Sequence, residues 1–361
     1  MAGGTGGHIF PALAVAKRLQ QQGHVVHWLG SKAGMEAGIA TTHAIPIHFV
    51  NIGGIRGKGL LTKLLAPWRL YVALLQSMMI LWRFNPDVVL GMGGYVTGPA
   101  GLASWLLRKR LVIHEQNAIA GMTNQILARF SYKVLEGFAD SFPKKFATEV
   151  TGNPVREDFS KLQPPHKRSQ RTSAEGLKIL IVGGSGGART LNNLVPQLLS
   201  SWPKDVPQPT IWHQTGNKQI NDAKNAYQDC GVAVVANGAT VSQGQVKLVP
   251  FIQDMPNAYA WADVIICRAG ALTIAEIAAV GVASILIPYP YAVDDHQTKN
   301  AQYLSKADAA VVIQEKDLNI ENLATILTEF TTNPPKLAAM SQAAYKLSKP
   351  DALDLVVASL G

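Results

Sequence analysis

Residues 178–194 read KILIVGGSGGARTLNNL: a short apolar run, a glycine-rich turn, then residues with helical spacing. The first nineteen residues, MAGGTGGHIFPALAVAKRL, repeat the turn and the helix. A glycine turn placed where a strand gives way to a helix is the opening of a Rossmann-like unit. Two such openings in one chain predict two units.

The rest of the chain fits that expectation. HVVHWLG, IPIHFVNI, PDVVLGMGG and KRLVIHEQN read as strands, with helices expected over Phe10–Gln22, Leu60–Arg83 and Gly98–Leu107. After residue 176 the alternation restarts with LKILIVGG, PTIWHQTG, QVKLVPF, ADVIICRAG, ASILIPYP and AAVVIQ. Near-continuous apolar strands alternating with helices indicate parallel sheets covered on both faces. The expected fold class is α/β, with two doubly wound domains. The boundaries read from composition are 1–160, a polar and basic linker over 161–176, and a second domain over 177–335. The last segment, 336–361, is expected to be helical and to return to the first domain. One irregularity stands out: only Met1 and Ala2 precede the first glycine turn, so the first unit is expected to lack its opening strand.

Composition bounds the chemistry. A chain of 361 residues favours two domains. With 47% hydrophobic and 16% charged residues it is globular. The formal charge of +9 points to an anionic partner: nucleic acid, a phosphorylated substrate or an acidic membrane surface. It also fits a merely solubilising surface. Two cysteines, Cys230 and Cys267, give neither a disulfide framework nor metal-ligand spacing. The glycine-rich start does not read as a signal peptide. The longest apolar run, Leu70–Phe84, contains Gln76, Ser77 and Arg83 and is shorter than the ~20 residues of a membrane span.

A glycine turn opening a helix presents backbone N–H groups at the positive end of the helix dipole, which suits phosphate oxygens. The dinucleotide fingerprint nevertheless fails. Ile9 and Arg189 stand where its last glycine belongs, and HVVHWLGS ends without the acidic residue that holds a ribose. IGGIRGKGL likewise fails as a P-loop, with Ile52 at its first glycine and Gly59 at its Ser/Thr. Each glycine loop taken alone also reads as a tight structural turn. In the second domain, Glu276 lies early in a helix; it suits a vicinal diol such as a ribose, or simply complements the dipole. YPYAVDDHQTKNAQYL gathers Asp294, Asp295, His296, Gln297 and Asn300 before a helix, in keeping with sugar recognition or with a solvated cap.

Six stretches together carry a resemblance: GGTGGHIFPALAVA, GMGGYVTGPAGLA, HEQNAIAGMTN, GNPVR, GGSGGARTLN and CRAGALTIAEIAAVG. In this order, over nearly the whole chain, they resemble the MurG family of peptidoglycan N-acetylglucosaminyltransferases. The resemblance implies a GT-B fold, two Rossmann-like domains facing across a cleft. It implies inverting transfer of GlcNAc from UDP-GlcNAc to the MurNAc 4-hydroxyl of undecaprenyl-diphospho-MurNAc-pentapeptide (lipid I), giving lipid II. The implied location is the cytoplasmic side of the inner membrane, where an apolar patch with a basic rim is expected to dock peripherally on anionic lipid. No cofactor, metal or nucleic acid is implied.

Position by position, the resemblance puts Thr5, Gly6 and Gly7 at the sugar and Asn117 on the donor sugar. Arg156 and Ser185 fall near the donor diphosphate and nucleotide, and Ile252 meets the uracil through its backbone. Ala271, Leu272, Thr273, Ile274, Ala275 and Glu276 form the donor loop and helix, with Glu276 on the ribose, and Gln297 addresses GlcNAc. Gly4, Gly94 and Tyr95 fall on the acceptor side. Two departures are Gly186, where a larger residue such as Gln is expected, and His296, where a glutamine is common.

His8 follows the first loop directly. A sugar hydroxyl needs a base to attack well, and an imidazole at a helix N-terminus is kept neutral by the dipole. His8 is therefore the expected general base, with Glu115 second; a capping or phosphate-binding His8 is the plainer reading. A membrane patch is expected over Leu60–Arg69, with Lys58, Lys63 and Arg69 beside Leu61, Leu64, Leu65 and Trp68. The stretch after Tyr71 is expected in the core. Two further readings share the fold: a UDP-sugar 2-epimerase, and a nucleotide-sugar-binding protein without catalysis.

Overall fold

The strands β1 (Trp28–Gly30), β2 (Ile47–Phe49), β3 (Val88–Gly91), β4 (Arg110–Glu115), β5 (Lys133–Glu136) and β6 (Glu149–Val150) belong to the first half of the chain. The second half holds β7 (Lys178–Val182), β8 (Thr210–Gln214), β9 (Val234–Val235), β10 (Val246–Val249), β11 (Val264–Cys267), β12 (Ala283–Leu286) and β13 (Ala310–Val312). The computed structural model describes residues 1–53, 65–168, 171–184, 186–235, 241–292 and 295–361. They divide into two units, Met1–Glu157 with Lys349–Gly361, and Asp158–Ser348.

The second unit contains one seven-stranded parallel sheet in the order β13-β12-β11-β7-β8-β10-β9. Its central strands are apolar on both faces because helices cover both: β11 and β12 are buried throughout. The chain runs outward from β7 on one side, then returns to start again at β11 on the other. The carboxyl ends of β7 and β11, paired in register from Ile179↔Val264 to Val182↔Cys267, therefore form a topological switch point.

The first unit has parallel sheets β1-β2 and β3-β4-β5-β6. Met1 and Ala2 lie between them. The Met1 amino group donates to Leu90 O (2.8 Å), Met92 N–H donates to Met1 O (2.9 Å), and Trp28 Nε1–H donates to Ala2 O (3.0 Å). This is the place where the sequence pattern asks for an opening strand.

The ten expected strands are present, shorter by up to four residues at either end; the first helix begins at Gly6 rather than Phe10, and β5, β6, β9 and the helix Met35–Thr42 are elements the sequence reading does not include. The boundaries differ more. The helix Pro334–Lys346 packs in the second unit, against Ala271–Val280; only residues 349–361 join the first. There the helix Ala352–Ala358 packs on the first helix, and Arg18 pairs with Asp354 at 2.9 Å. The basic stretch expected as a linker is anchored to the second unit. Arg168 donates to the carbonyls of Val280 and Gly281, and Arg171 to those of Phe330 and Thr331. Each guanidinium satisfies the last carbonyls of a helix, where the dipole favours a cation.

Five helices matter below: α1 (Gly6–Gln21), α2 (Met35–Thr42), α3 (Ala66–Phe84), α4 (Thr97–Leu106) and α5 (Ala271–Val280). In α3 the structure corrects the sequence reading. Ala73, Ser77 and Leu81 are the buried positions, and the helix packs on α4. The stripe Trp68, Tyr71, Leu75, Met79 and Trp82, which beyond Tyr71 was expected in the core, is exposed, Trp82 at 73%. Both stripes are apolar enough to face inward; the small residues of α3 let α4 approach, so the aromatic stripe faces out. Among the described residues no helix is long and apolar enough to cross a membrane.

Candidate active site

In the second unit the implied donor residues lie on loops at the carboxyl ends of β7, β10, β11 and β12. The loop after β7 turns at Gly184 and Gly187, at φ +80° and +77°. A Cβ on Gly187 would come within 2.2 Å of Thr215 O, so this glycine is forced twice over. Gly186 has open space where a Cβ would stand. Nothing on the backbone there requires a glycine for want of room at Cβ. Ser185 lies outside the described residues. Gln214 ties this loop to the next: its Nε2 donates to Gly184 O (3.1 Å) and its Oε1 accepts Ile252 N–H (3.0 Å). The Ile252 amide is thus committed within the protein.

Helix α5 starts directly after β11, with Gly270 at its N-cap. Ala271 and Ile274 are buried, anchoring the helix, while Leu272, Thr273 and Ala275 are half-buried. Glu276 is buried, and its Oε2 accepts from the Tyr259 hydroxyl at 3.2 Å. Gln297 Oε1 accepts the N–H groups of Ala269 (3.1 Å) and Tyr289 (2.9 Å). That fixes the amide so that its nitrogen is the end able to address a sugar. His296 begins the next helix and is half-buried. Arg268 bonds Glu315 at 2.8 Å, and Thr190 donates to the same carboxylate, joining the loops after β7 and β11. Burial works against charge on Glu315, but these bonds outweigh it and hold its pKa below the usual range. Cys267 sits beside this site, and burial pushes its thiol up, which disfavours the thiolate.

In the first unit two glycine loops interlock. A Cβ on Gly94 would lie 2.0 Å from Gly3 O, so GGTGG and GMGGY touch backbone to backbone. Gly4 turns at φ +96°, Thr5 is the N-cap of α1, and Gly6 and Gly7 form its first turn. Their amides have no acceptor within the helix and face outward from its positive end. His8 Nδ1 lies 3.4 Å from Thr5 Oγ1, and its ring covers Gly93, where a Cβ would be 2.6 Å from Cδ2. Tyr95 stands beside Gly4. Arg156, half-buried, follows β6.

Glu115 is not a free base. Its Oε1 accepts the backbone and side-chain N–H of Asn117 (both 3.0 Å), and its Oε2 accepts Gly121 N–H (3.0 Å) and Asn124 Nδ2 (2.8 Å). With both oxygens engaged at 3% exposure, it is the clamp that orients Asn117. Sequence spacing could not reveal this, because the donors come from a loop folded back onto the strand end.

Two buried histidines predict acid lability. Burial lowers His114 to about 4 and His213 to about 3, from 6.5. His114 keeps a carbonyl partner, Gly152 O at 3.0 Å, and His213 bonds the Tyr227 hydroxyl at 3.0 Å. Both are neutral when folded and take up a proton when unfolded below pH 6.5. Their stabilisation is complete above that pH and is lost as pH falls toward the folded values, by about 2 kcal/mol each at pH 5. Melting temperature is expected to be flat from pH 8 to 7 and to drop steeply between 6 and 4.5. A profile flat to pH 5 would contradict it.

Comparison with known proteins agrees with this layout. Residues 1–136 match the glycosyltransferase family 28 N-terminal domain, and residues 178–356 its C-terminal domain. The UDP-N-acetylglucosamine–N-acetylmuramyl-(pentapeptide) pyrophosphoryl-undecaprenol N-acetylglucosamine transferase of Marinobacter nauticus is 48% identical over 99% of this chain and 94% of its own. The crystal structure of Acinetobacter baumannii MurG superposes with a TM-score of 0.83 at 40% identity, covering 100% of this chain and 97% of that one. A Listeria monocytogenes protein provisionally assigned as a UDP-N-acetylglucosamine 2-epimerase superposes at TM-score 0.66 but 14% identity, over 99% and 93%, and so shares the fold alone. The identity spans both units and every motif loop described above, and on that ground the chain belongs to glycosyltransferase family 28, as an N-acetylglucosaminyltransferase of the MurG family with the GT-B fold.

Proposed function

We propose that this enzyme uses the loops of its second unit to hold UDP-GlcNAc and the interlocked glycine loops of its first unit to present the acceptor. Its reaction is transfer of GlcNAc to lipid I, forming lipid II for peptidoglycan. The observation that carries the division of labour is the convergence of Gln214, Gln297, Glu276 and the β7 loop at one switch point. There, backbone amides and the α5 N-terminus suit a nucleoside diphosphate. Charge developing on the leaving UDP would be met by these amides, with Arg156 as a further cation. In the first unit, His8 would take the proton from the MurNAc 4-hydroxyl as the hydroxyl attacks the face opposite UDP. UDP release is the direct assay. It should need a lipid I analogue and yield one disaccharide per UDP. Release of free GlcNAc or a free epimer without acceptor would overturn the reading.

The exposed stripe of α3 supports a peripheral membrane location at the cytoplasmic face of the inner membrane. Trp68, Met79 and Trp82 are 64%, 59% and 73% exposed, with Leu65, Leu75 and Arg69 on the same helix or at its start. Aromatic and aliphatic side chains on one helix face, beside cations, suit the headgroup region of an anionic bilayer. Lys58, Leu61, Lys63 and Leu64, the rest of the expected patch, lie outside the described residues. Binding to vesicles containing anionic phospholipid should weaken with salt. It should fall about tenfold or more for Trp68→Glu/Trp82→Glu, since burial of each indole is lost. Equal binding by this variant would remove α3 from the membrane surface.

A further inference from the structure

Behind the first glycine loop lies a carboxylate that the reaction scheme leaves unused. Glu36, in the first turn of α2, is wholly buried. Its Oε1 accepts the backbone N–H of Ser31 (2.9 Å) and the Ser31 hydroxyl (2.8 Å). Its Oε2 is buried and finds no hydrogen-bond partner among the described residues. Three glycines make room for it. A Cβ would lie 2.9 Å from Glu36 Oε1 at Gly3, 2.7 Å from its Cγ at Gly30, and 2.1 Å from its Oε2 at Gly34. Gly3, the first glycine of the GGTGG loop, is thus needed for a carboxylate packed behind the loop, whatever binds in front.

The network continues outward. Ser31 Oγ lies 3.0 Å from the Tyr95 hydroxyl, and Tyr95 is half-buried against Gly4. The direction of these bonds is determined. Glu36 Oε1 already receives an N–H, so it is an accepting oxygen, and the Ser31 proton points to it. Ser31 can then only accept from Tyr95, so the Tyr95 proton points inward and its oxygen lone pairs point out. A phenol anchored this way offers an acceptor to a substrate hydroxyl. Unanchored, its proton rotates freely and offers a donor as often.

We infer that Glu36 is a positioning residue for the transfer reaction: through Ser31 it fixes Tyr95 as a hydrogen-bond acceptor toward a hydroxyl of the sugar bound at the Gly3–Thr5 loop. This rests on the reading that the loop faces the acceptor substrate. It makes Tyr95 an orienting partner for the hydroxyl whose proton His8 removes, and it assigns a task to a buried carboxyl group with no other evident purpose.

The test is a double-mutant cycle in the full-length enzyme, with kinetics against both UDP-GlcNAc and a lipid I analogue. Ser31→Ala and Tyr95→Phe should each lower kcat/KM for the acceptor by about tenfold, with the KM for UDP-GlcNAc unchanged. The pair together should cost no more than Tyr95→Phe alone, because Ser31 acts only through that hydroxyl. Glu36→Met, which keeps the volume and loses the acceptor, should match Ser31→Ala if its melting temperature holds; should it not fold, Ser31→Ala stands as the test. Independent, multiplying losses would overturn the relay, as would an effect of Tyr95→Phe with none from Ser31→Ala; both leave the loop reading standing. No loss from Tyr95→Phe would overturn the loop reading as well.

Discussion

His8→Ala is expected to lower kcat by about 10²-fold or more while UDP-GlcNAc binding stays near wild type. The geometry places the residue at the glycine loop read as facing the acceptor. His8 lies in the first turn of α1, beside the N-cap Thr5, with its ring held over Gly93 of the neighbouring loop. Nδ1 is turned toward Thr5, and Nε2 is the nitrogen at the far side of the ring. A hydroxyl bound at this helix end would lie next to the ring. The nearest rival in the sequence, Glu115, has its oxygens engaged by Asn117, Gly121 and Asn124. The loss should persist at saturating acceptor. A variant that keeps kcat and raises only the acceptor KM would make His8 a binding residue.

The second large effect is expected at Glu276. Replacing it with Ala should raise the KM for UDP-GlcNAc by about 10- to 100-fold, the loss of charge-assisted bonds to a ribose diol at roughly 1.5–3 kcal/mol. The carboxylate is 7% exposed and bonded to Tyr259, so its position is set before the ligand arrives. Two companions separate binding from packing. Tyr259→Phe removes the internal bond alone and should move KM little. Glu276→Gln keeps the shape and should fall between wild type and Glu276→Ala. A folded Glu276→Ala enzyme with unchanged donor KM would take the residue out of the site.

Much of this was legible without coordinates. The repeated turn at Gly3–Gly7 and Gly183–Gly187, set among apolar runs, fixed two parallel α/β units, because period and turn chemistry are local properties. The joint motifs fixed the family. What sequence could not supply was the side of each element that faces inward and the partner each polar group finds. In α3 two stripes share one period, and only the approach of α4 decided that Ala73, Ser77 and Leu81 are buried and Trp82 is not. Glu115 reads as a base in HEQN, yet Gly121 and Asn124 reach back to occupy it. The basic stretch around Arg168 and Arg171 has a linker's composition, but the carbonyl ends of two helices hold it. Glu36 carries no signal in MEAG at all. Its role exists because Gly3, Gly30 and Gly34, far apart or unremarkable in the chain, leave one carboxylate-sized space, and that space is a property of the folded backbone alone.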